Sequence, residues 1–501
     1  MSTTPTIVTD VSGLESSSVA QGFSSLDRQE IALHALSGNV SVSELSRQRA
    51  VSRKFISHQR DKATEALEAA FDTQADDDDV LFYLPVTKRW LRQVVLSLML
   101  ICHSSMRGVV EFFAAVLDHP ISLGTVHNIM TESVVQAREV LFREELSAIR
   151  EGAHDEIFQS RHPILVGCDV NSTYCYLLAQ EESRDGITWG VHLLDLQEKG
   201  LHPDHTIADG GKGLRAGQAE AWPDVPCWGD NFHIVAEMRR LSTYVENRAF
   251  TAMSTCEALE RKMQGAKKKG KGNTLSKKLT QSKKAQQQAI QLADEITTLL
   301  GWMREDILAV VGPDLPTRQG LYDWIVEALR AREDQLSHRI APIRRRLENG
   351  REEFLAFAQK LDQQLLDLAK QFHTDPLLVR QLFEAQTLDQ PDCEPQENPL
   401  QQRLGSSFEP LQEAITQLIN ATVRASSVVE NLNSRLRNYF FLRKQLGVDY
   451  LDLLRFFLNH RRFQRSERQE RVDKSPAEIL TGKEHPHWLE LLGFERFQKR
   501  A

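Results

Sequence analysis

Apolar residues recur three and four apart over most of the chain, and breaks in that period mark changes of character. In "ASSVVENLNSRLRNYFFLRKQ" (Ala425 to Gln445), Ala425, Val428, Val429, Leu432, Leu436 and Phe440 make one stripe. That spacing predicts an amphipathic helix with one buried face. Its polar face carries Ser426, Glu430, Asn433 and Arg437 instead of the Lys and Glu pairs of a plain solvated helix.

Near the N-terminus, residues 1–25 are Ser/Thr-rich and predict a disordered segment. Three short helices follow between Arg28 and Lys62, broken at Gly38 and Asn39, with Ser41 and Ser52 as N-caps. This is helix-turn-helix spacing over 26–71, and its third helix offers Arg53, Lys54, His58, Gln59 and Arg60 to a DNA groove. A three-helix bundle without DNA is the plainer alternative. The acidic segment 72–85 reads as a linker. A second helical unit over 86–150 ends in another helix-turn-helix-like pair, with Thr125, His127 and Asn128 at the start of its last helix.

The period changes at Pro163. "ILVGCDV", "TYCYLLAQ" and "ITWGVHLLDL" read as three consecutive strands, rich in β-branched and aromatic residues. "HTIADGG" reads as a fourth strand ending at Asp209, and "VPCWGD" as a fifth ending at Asp230, with a helix between them. Three strands followed by alternating helix and strand is the order of a ribonuclease-H-like core, here over 155–245. Residues 246–405 return to a helical period and predict an all-α insertion. It holds the basic segment "GAKKKGKGN", with Lys267, Lys268 and Lys269, and closes at a Pro-rich linker over 388–399. The core resumes over 406–482 with the helix of Glu430, and 483–501 is a tail. The expected architecture is thus an α/β core interrupted by a large helical insertion and preceded by all-α helix-turn-helix domains.

Three carboxylates stand out. Asp169 and Asp209 each end a predicted strand, and Glu430 lies on the polar face of a helix that could cross that sheet edge. Converging acids of this kind can hold two divalent metals ~4 Å apart for in-line phosphoryl transfer, and hard oxygen ligands suit Mg²⁺ or Mn²⁺. Asn433, Arg437 and Ser426 are types that bond phosphates. Taken singly, each acid is better explained as a turn, cap or solvated residue.

Composition changes the picture locally. The net charge is −8, yet from Arg261 to Lys284 there are ten Lys or Arg and no Asp or Glu. Arg344, Arg345 and Arg346 form a second basic cluster; Arg455, Arg461, Arg462, Arg465, Arg468 and Arg471 form a third. Such tracts in a mildly acidic chain are compatible with phosphate binding. Six cysteines without paired short spacings argue against a disulfide framework, and Cys168, Cys175 and Cys227 show no zinc spacing. No long apolar run or leader pattern is evident, so an intracellular protein is expected.

"GCDVNSTYCYLL", "TIADGGKGLRAGQAEAWPDVPCWGDNFHIVAEM" and "SSVVENLNSRLRNYF…SPAEILTG" together resemble DDE transposases of bacterial insertion sequences. The likeness is to the branch with a (C/D)-x-x-H motif after the second Asp and a helical insertion before the Glu. Here the motif is "DNFH", Asp230 to His233. The resemblance covers about 155–245 and 406–482. It implies Asp169, Asp209 and Glu430 as the metal-binding triad, with two Mg²⁺ or Mn²⁺ ions, and Asp230 and His233 as the accessory motif, His233 near the active site. It implies binding to double-stranded terminal inverted repeats, strand cleavage and transfer, and work as a homodimer or larger assembly. An insertion aromatic can stack on a flipped base in that branch; Trp302 and Trp324 are the candidates, although both sit among Leu and Ile as core residues do. The alternatives are a catalytically inactive, transposon-derived DNA-binding protein acting as regulator or scaffold, and a structure-specific or RNA-guided nuclease.

Overall fold

The computed structural model describes residues 22–71, 84–268, 273–386, 399–424, 427–441, 447–466 and 468–496. The expected acidic and Pro-rich linkers, most of the N-terminal segment, Lys269, Ser426 and the side chain of Lys267 lie outside the described residues. The chain divides into two compact units, up to Val86 and from Thr87 onward.

The first unit is three helices, α1 (Ser25–Ser37), α2 (Val42–Gln48) and α3 (Arg53–Phe71). Ser24 and Asp27 form a capping box on α1, and Gly38 ends it at φ +67°, where a side chain would be strained. Ser41 caps α2 and the Ser52 hydroxyl accepts from the Phe55 amide, as the sequence predicts. Ile31, Leu45, Val51 and Ile56 form its small core.

The second unit opens with α4 (Lys88–Leu100), α5 (Met106–Leu117) and α6 (Leu123–Phe142). These do not stand apart as a domain. Val95, Met99, Val109, Phe113 and Val126 join one core with Ile164 and Val166 of the sheet and with the helix of Glu430.

The sheet has five strands in the order β3-β2-β1-β4-β5. They are β1 (Glu151–Gln159), β2 (His162–Asp169), β3 (Cys175–Gln180), β4 (His205–Ala208) and β5 (Cys227–Gly229). β1 pairs antiparallel with β2 and parallel with β4, so β2 alone runs against the others. Two expectations are corrected here. A strand not read from the sequence, "EGAHDEIFQ", is the central one, joined to β2 by a two-residue turn with Ser160 at φ +59°. "ITWGVHLLDL" is helix, α7 (Gly186–Glu198): Asp185 caps it, and Trp189, Leu193 and Leu196 bury one face at helical spacing.

Helix α8 (Lys212–Ala221) links β4 to β5. After β5 the chain leaves the sheet in a helical insertion, α9 (Asn231–Lys267) through α14 (Pro399–Leu404), with α10 (Asn273–Trp302), α11 (Leu315–Arg332), α12 (Ser337–Gln371) and α13 (Pro376–Ala385) between. The insertion has its own cores, around Ile234, Leu299 and Leu329 and around Leu361, Phe383 and Leu411. α15 (Phe408–Ala421) leads back to α16 (Ser427–Phe441), α17 (Val448–His460), α18 (Pro476–Thr481) and α19 (Trp488–Leu491). Among the described residues no helix is long and apolar enough to cross a membrane.

Candidate active site

The parallel pairing of β1 and β4 sets His154 opposite Ala208, so Asp155 and Asp209 come next, side by side. Neighbouring strands lie ~4.8 Å apart and paired residues share a face, so both carboxylates stand on one face of the sheet, at the C-terminal end of β4. Asp155 is buried at 7% exposure. Its Oδ1 accepts from the Glu156 amide at 2.7 Å and its Oδ2 from the Asn433 side-chain amide at 2.6 Å. Asn433 lies on α16, whose Val429, Leu432, Leu436 and Phe440 fill the core as the spacing predicts. Glu430 is three residues earlier, so it shares that helical face and leans over the two aspartates.

Asp209 follows β4, and its Oδ1 accepts from the Gly211 amide at 2.8 Å. Asp230 caps α9: its fully buried carboxylate accepts from the Phe232 and His233 amides and holds His233 Nδ1 at 2.7 Å. His233 Nε2 then lies 3.5 Å from Glu430 Oε1, while Arg437 stands 3.9 Å from Oε2. The i, i+3 spacing of Asp230 and His233 is thus one cap performing two tasks. It closes the helix start and aims the imidazole at Glu430.

Charge explains the titration of this group. Burial pushes Asp155 up to about 7, and repulsion from Glu430 and Asp209 adds to it. The Asp230 hydrogen bond raises His233 to about 9 against its burial, with Asp155 and Asp209 contributing. The centre therefore gathers four acids, Asp155, Asp209, Asp230 and Glu430, around one imidazolium, in a place where buried charge is costly.

Asp169 does not join them. It pairs with Gly152 near the start of β1, whereas Asp155 is that strand's middle residue and pairs with Val166. The offset is three residues, roughly 10 Å along the strand, and an odd one, so the two side chains occupy opposite faces. Because β2 runs antiparallel, its C-terminal end lies at the wrong sheet edge. There the Asp169 carboxylate accepts from the Ser172 amide and hydroxyl at 2.6 and 2.5 Å and shapes the turn before β3. The sequence signal that could have found Asp155 is the alternation of Ala153, Asp155 and Ile157 on one face of β1.

The other expected residues divide. Arg53, Lys54 and His58 are exposed at the start of α3. Gln59 is buried in that helix, and Arg60 pairs with Asp61 at 2.8 Å. Thr125, His127 and Asn128 are exposed, and the Thr125 amide is held by the Ser122 cap. Lys268 is exposed beside the tip of the α9–α10 pair. Arg437 is exposed, but Asn433 is fully buried and serves Asp155 rather than a phosphate. Arg344 and Arg346 are tied to acids within the insertion, Arg344 to Glu333 and Glu348 and Arg346 to Glu237. Trp302 and Trp324 are 42% and 50% exposed and pack on each other, ring centres 5.1 Å apart, rather than filling a core.

The donor set suits a hard divalent cation: three carboxylates and the Asn433 Oδ1, a buried acceptor without a hydrogen-bond partner. In this conformation the carboxylates turn to local partners, and among the described residues no three His, Cys, Asp or Glu side chains are gathered as a metal cage. Compared with models of known protein families and with curated protein sequences, the chain matches none.

Proposed function

We propose that the chain is a DDE-type transposase, a metal-dependent enzyme that cuts and joins DNA, with Asp155, Asp209 and Glu430 as its carboxylates. The observation that carries this reading is the pair of aspartates on adjacent parallel strands under a helix that presents Glu430, braced by Asp230 and His233. The order β3-β2-β1-β4-β5 with β2 alone reversed supports a ribonuclease-H-like core. Asp155 therefore takes the place that the sequence resemblance assigned to Asp169.

Asp155, Asp209 and Glu430 would hold Mg²⁺ or Mn²⁺, which supply Lewis acidity and an activated water or hydroxyl for attack on phosphorus. The chain's own residues do the rest. Asn433 fixes the Asp155 carboxylate through its amide. Asp230 holds the His233 imidazolium, whose Nε2–H faces Glu430 and keeps that side chain over the aspartates. The exposed Arg53, Lys54 and His58 on α3 suit contacts with terminal-repeat DNA.

Nicking of supercoiled plasmid in Mn²⁺ tests the reading. Wild type should nick, and Asp155→Asn should lose activity by about a thousandfold, the size of ~4 kcal/mol in transition-state stabilisation. A wild type that binds DNA tightly and never cuts it would favour the inactive, DNA-binding descendant instead.

A further inference from the structure

The third basic cluster of the sequence has no part in the carboxylate centre, and the fold gives it a place. A cleft of about 740 Å³ is walled on one side by α16 and on the other by the segment after α17. Arg435, Arg461, Arg462, Arg465, Arg468 and Arg471 line it, with no carboxylate among its described lining residues. Asn431 and Gln464 add uncharged donors, and Phe463 an aromatic ring.

The arginines are only partly satisfied. Arg462 pairs with Glu478 at 2.5 Å, Arg468 donates to the Asn420 carbonyl at 2.8 Å, and Arg471 donates to the Asn171 carbonyl. Arg461 packs on the Phe457 ring at 5.5 Å. Arg435 is half-buried, and burial and then the like charge of Arg461 hold it below its usual range. Glu478 neutralises Arg462, and the other five guanidinium groups, without an acid partner among the described residues, repel one another unless an anion lies between them. Their planar forks match phosphate oxygens two at a time. Several such forks along one open cleft suit a ligand with phosphates at intervals better than one compact anion.

The cleft shares helix α16 with the carboxylate centre. Asn431 and Arg435 are one and five residues beyond Glu430 on the same helix, and each residue turns the helix by roughly 100°. The cleft therefore opens on the side of α16 turned roughly 100–140° away from Glu430, a helix diameter of ~10 Å from it, and reaches Thr173 in the turn between β2 and β3. We propose that it is a second nucleic-acid subsite, which grips the phosphodiester backbone of a DNA strand on the far side of α16 from the carboxylate centre. This assignment rests on the DNA-processing reading.

Full-length protein and a short fluorescein-labelled oligonucleotide of random sequence, single-stranded and duplex, provide the test by anisotropy. Arg461→Gln/Arg465→Gln should weaken binding at low salt by about tenfold or more and flatten the salt slope by about two, one for each lost phosphate contact. Arg465 is exposed, and matched melting curves would confirm that the variant folds. The pair Lys88→Gln/Arg143→Gln removes the same charge from exposed positions elsewhere and should change little. Unchanged affinity and slope in the cleft variant, or an equal loss in the control pair, overturns the proposal. So does calorimetry in which inorganic tripolyphosphate binding depends on the cleft while DNA binding does not. The two readings fail separately. If Asp155→Asn still cuts while the cleft variant loses DNA, the carboxylate reading falls and the subsite stands. If Asp155→Asn is dead and the cleft variant binds normally, only the subsite falls.

Discussion

Two buried charges in this molecule are treated in opposite ways. Arg318 on α11 is 1% exposed, and its guanidinium donates to four carbonyls, those of Ile307, Ala309, Val310 and Pro313, at 2.5 to 3.0 Å. It closes the irregular segment between α10 and α11, whose carbonyls would otherwise be orphaned. Burial lowers it only to about 10, so it stays charged at neutral pH. Asp155 is as deeply placed, but its nearest charges include two more acids. The first site is one a fold builds for its own stability. The second resists folding, which fits the proposed role of this centre in holding a divalent cation.

The comparison breaks first at Glu430. Glu430→Gln keeps size and helix propensity and removes the charge that a divalent ion needs. Nicking in Mg²⁺ or Mn²⁺ should fall about a thousandfold while DNA affinity holds or tightens. Glu413→Gln on α15, exposed, is the matched control and should change little. Equal nicking by wild type and Glu430→Gln would leave the centre without its helix-borne acid.

At Arg318 the expected loss is of stability. Arg318→Met keeps the apolar stem and strands four carbonyls in the insertion, which should cost about 3 kcal/mol by urea unfolding. A neutral result would mean that the segment between α10 and α11 finds other donors, and the contrast with Asp155 would vanish.

Much of this centre was legible in the sequence, and what was not has a physical cause. Asp209, Asp230, His233 and Glu430 stand out because a strand end, a cap and an amphipathic helix leave local patterns. The α16 stripe is read correctly because burial of Val429, Leu432, Leu436 and Phe440 needs nothing beyond helical period. Asp155 was hidden because β1 carries His154, Asp155 and Glu156 in a row, which resembles a loop. Only pairing on both sides makes "GAHDEIFQ" a strand. Asp169 misled because a strand's direction in a sheet is a long-range fact. The "ILVGCD" run shows where a strand ends and gives no sign of which edge that end reaches. In "ITWGVHLLDL" β-branched and aromatic content outweighed the spacing of Trp189, Leu193 and Leu196, which fits a helix.

A subtler break is in the pH dependence of stability. With metal chelated, Asp155 ionises near 7 in the folded chain, against 3.8 for the ordinary group. Between those values the folded state holds a proton that the unfolded state has lost, so this group's contribution falls as pH rises and is least above about 7. The full shift corresponds to ~4 kcal/mol, and water penetration would leave about half of it. Asp155→Asn should therefore be more stable than wild type by about 2 kcal/mol at pH 8 and nearly equal to it at pH 4. Adding Mg²⁺ at pH 8 should raise the wild-type melting temperature and leave the variant's unchanged. A variant less stable than wild type at pH 8 would show Asp155 to be a satisfied structural acid like Arg318's carbonyl cage.

The smallest effect decides between the two strand-borne aspartates. Asp169 is buried at 2% exposure, and burial raises its pKa against the lowering bonds from Ser172. Those bonds are local, and they hold the turn between β2 and β3 rather than facing Asp209 or Glu430. Asp169→Asn keeps an acceptor for the Ser172 amide and loses the charge, so it should cost about 1 kcal/mol in urea unfolding. Nicking should stay within about twofold of wild type once both proteins are shown to be folded, because nothing at the opposite end and face of the sheet depends on that charge. If Asp169→Asn is as inactive as Asp155→Asn while it melts normally, then the acid that matters is at the end of β2 and the centre described on β1 and β4 is the wrong one. An active Asp169→Asn beside an inactive Asp155→Asn would place the chemistry on the central strand, where strand pairing rather than local pattern puts it.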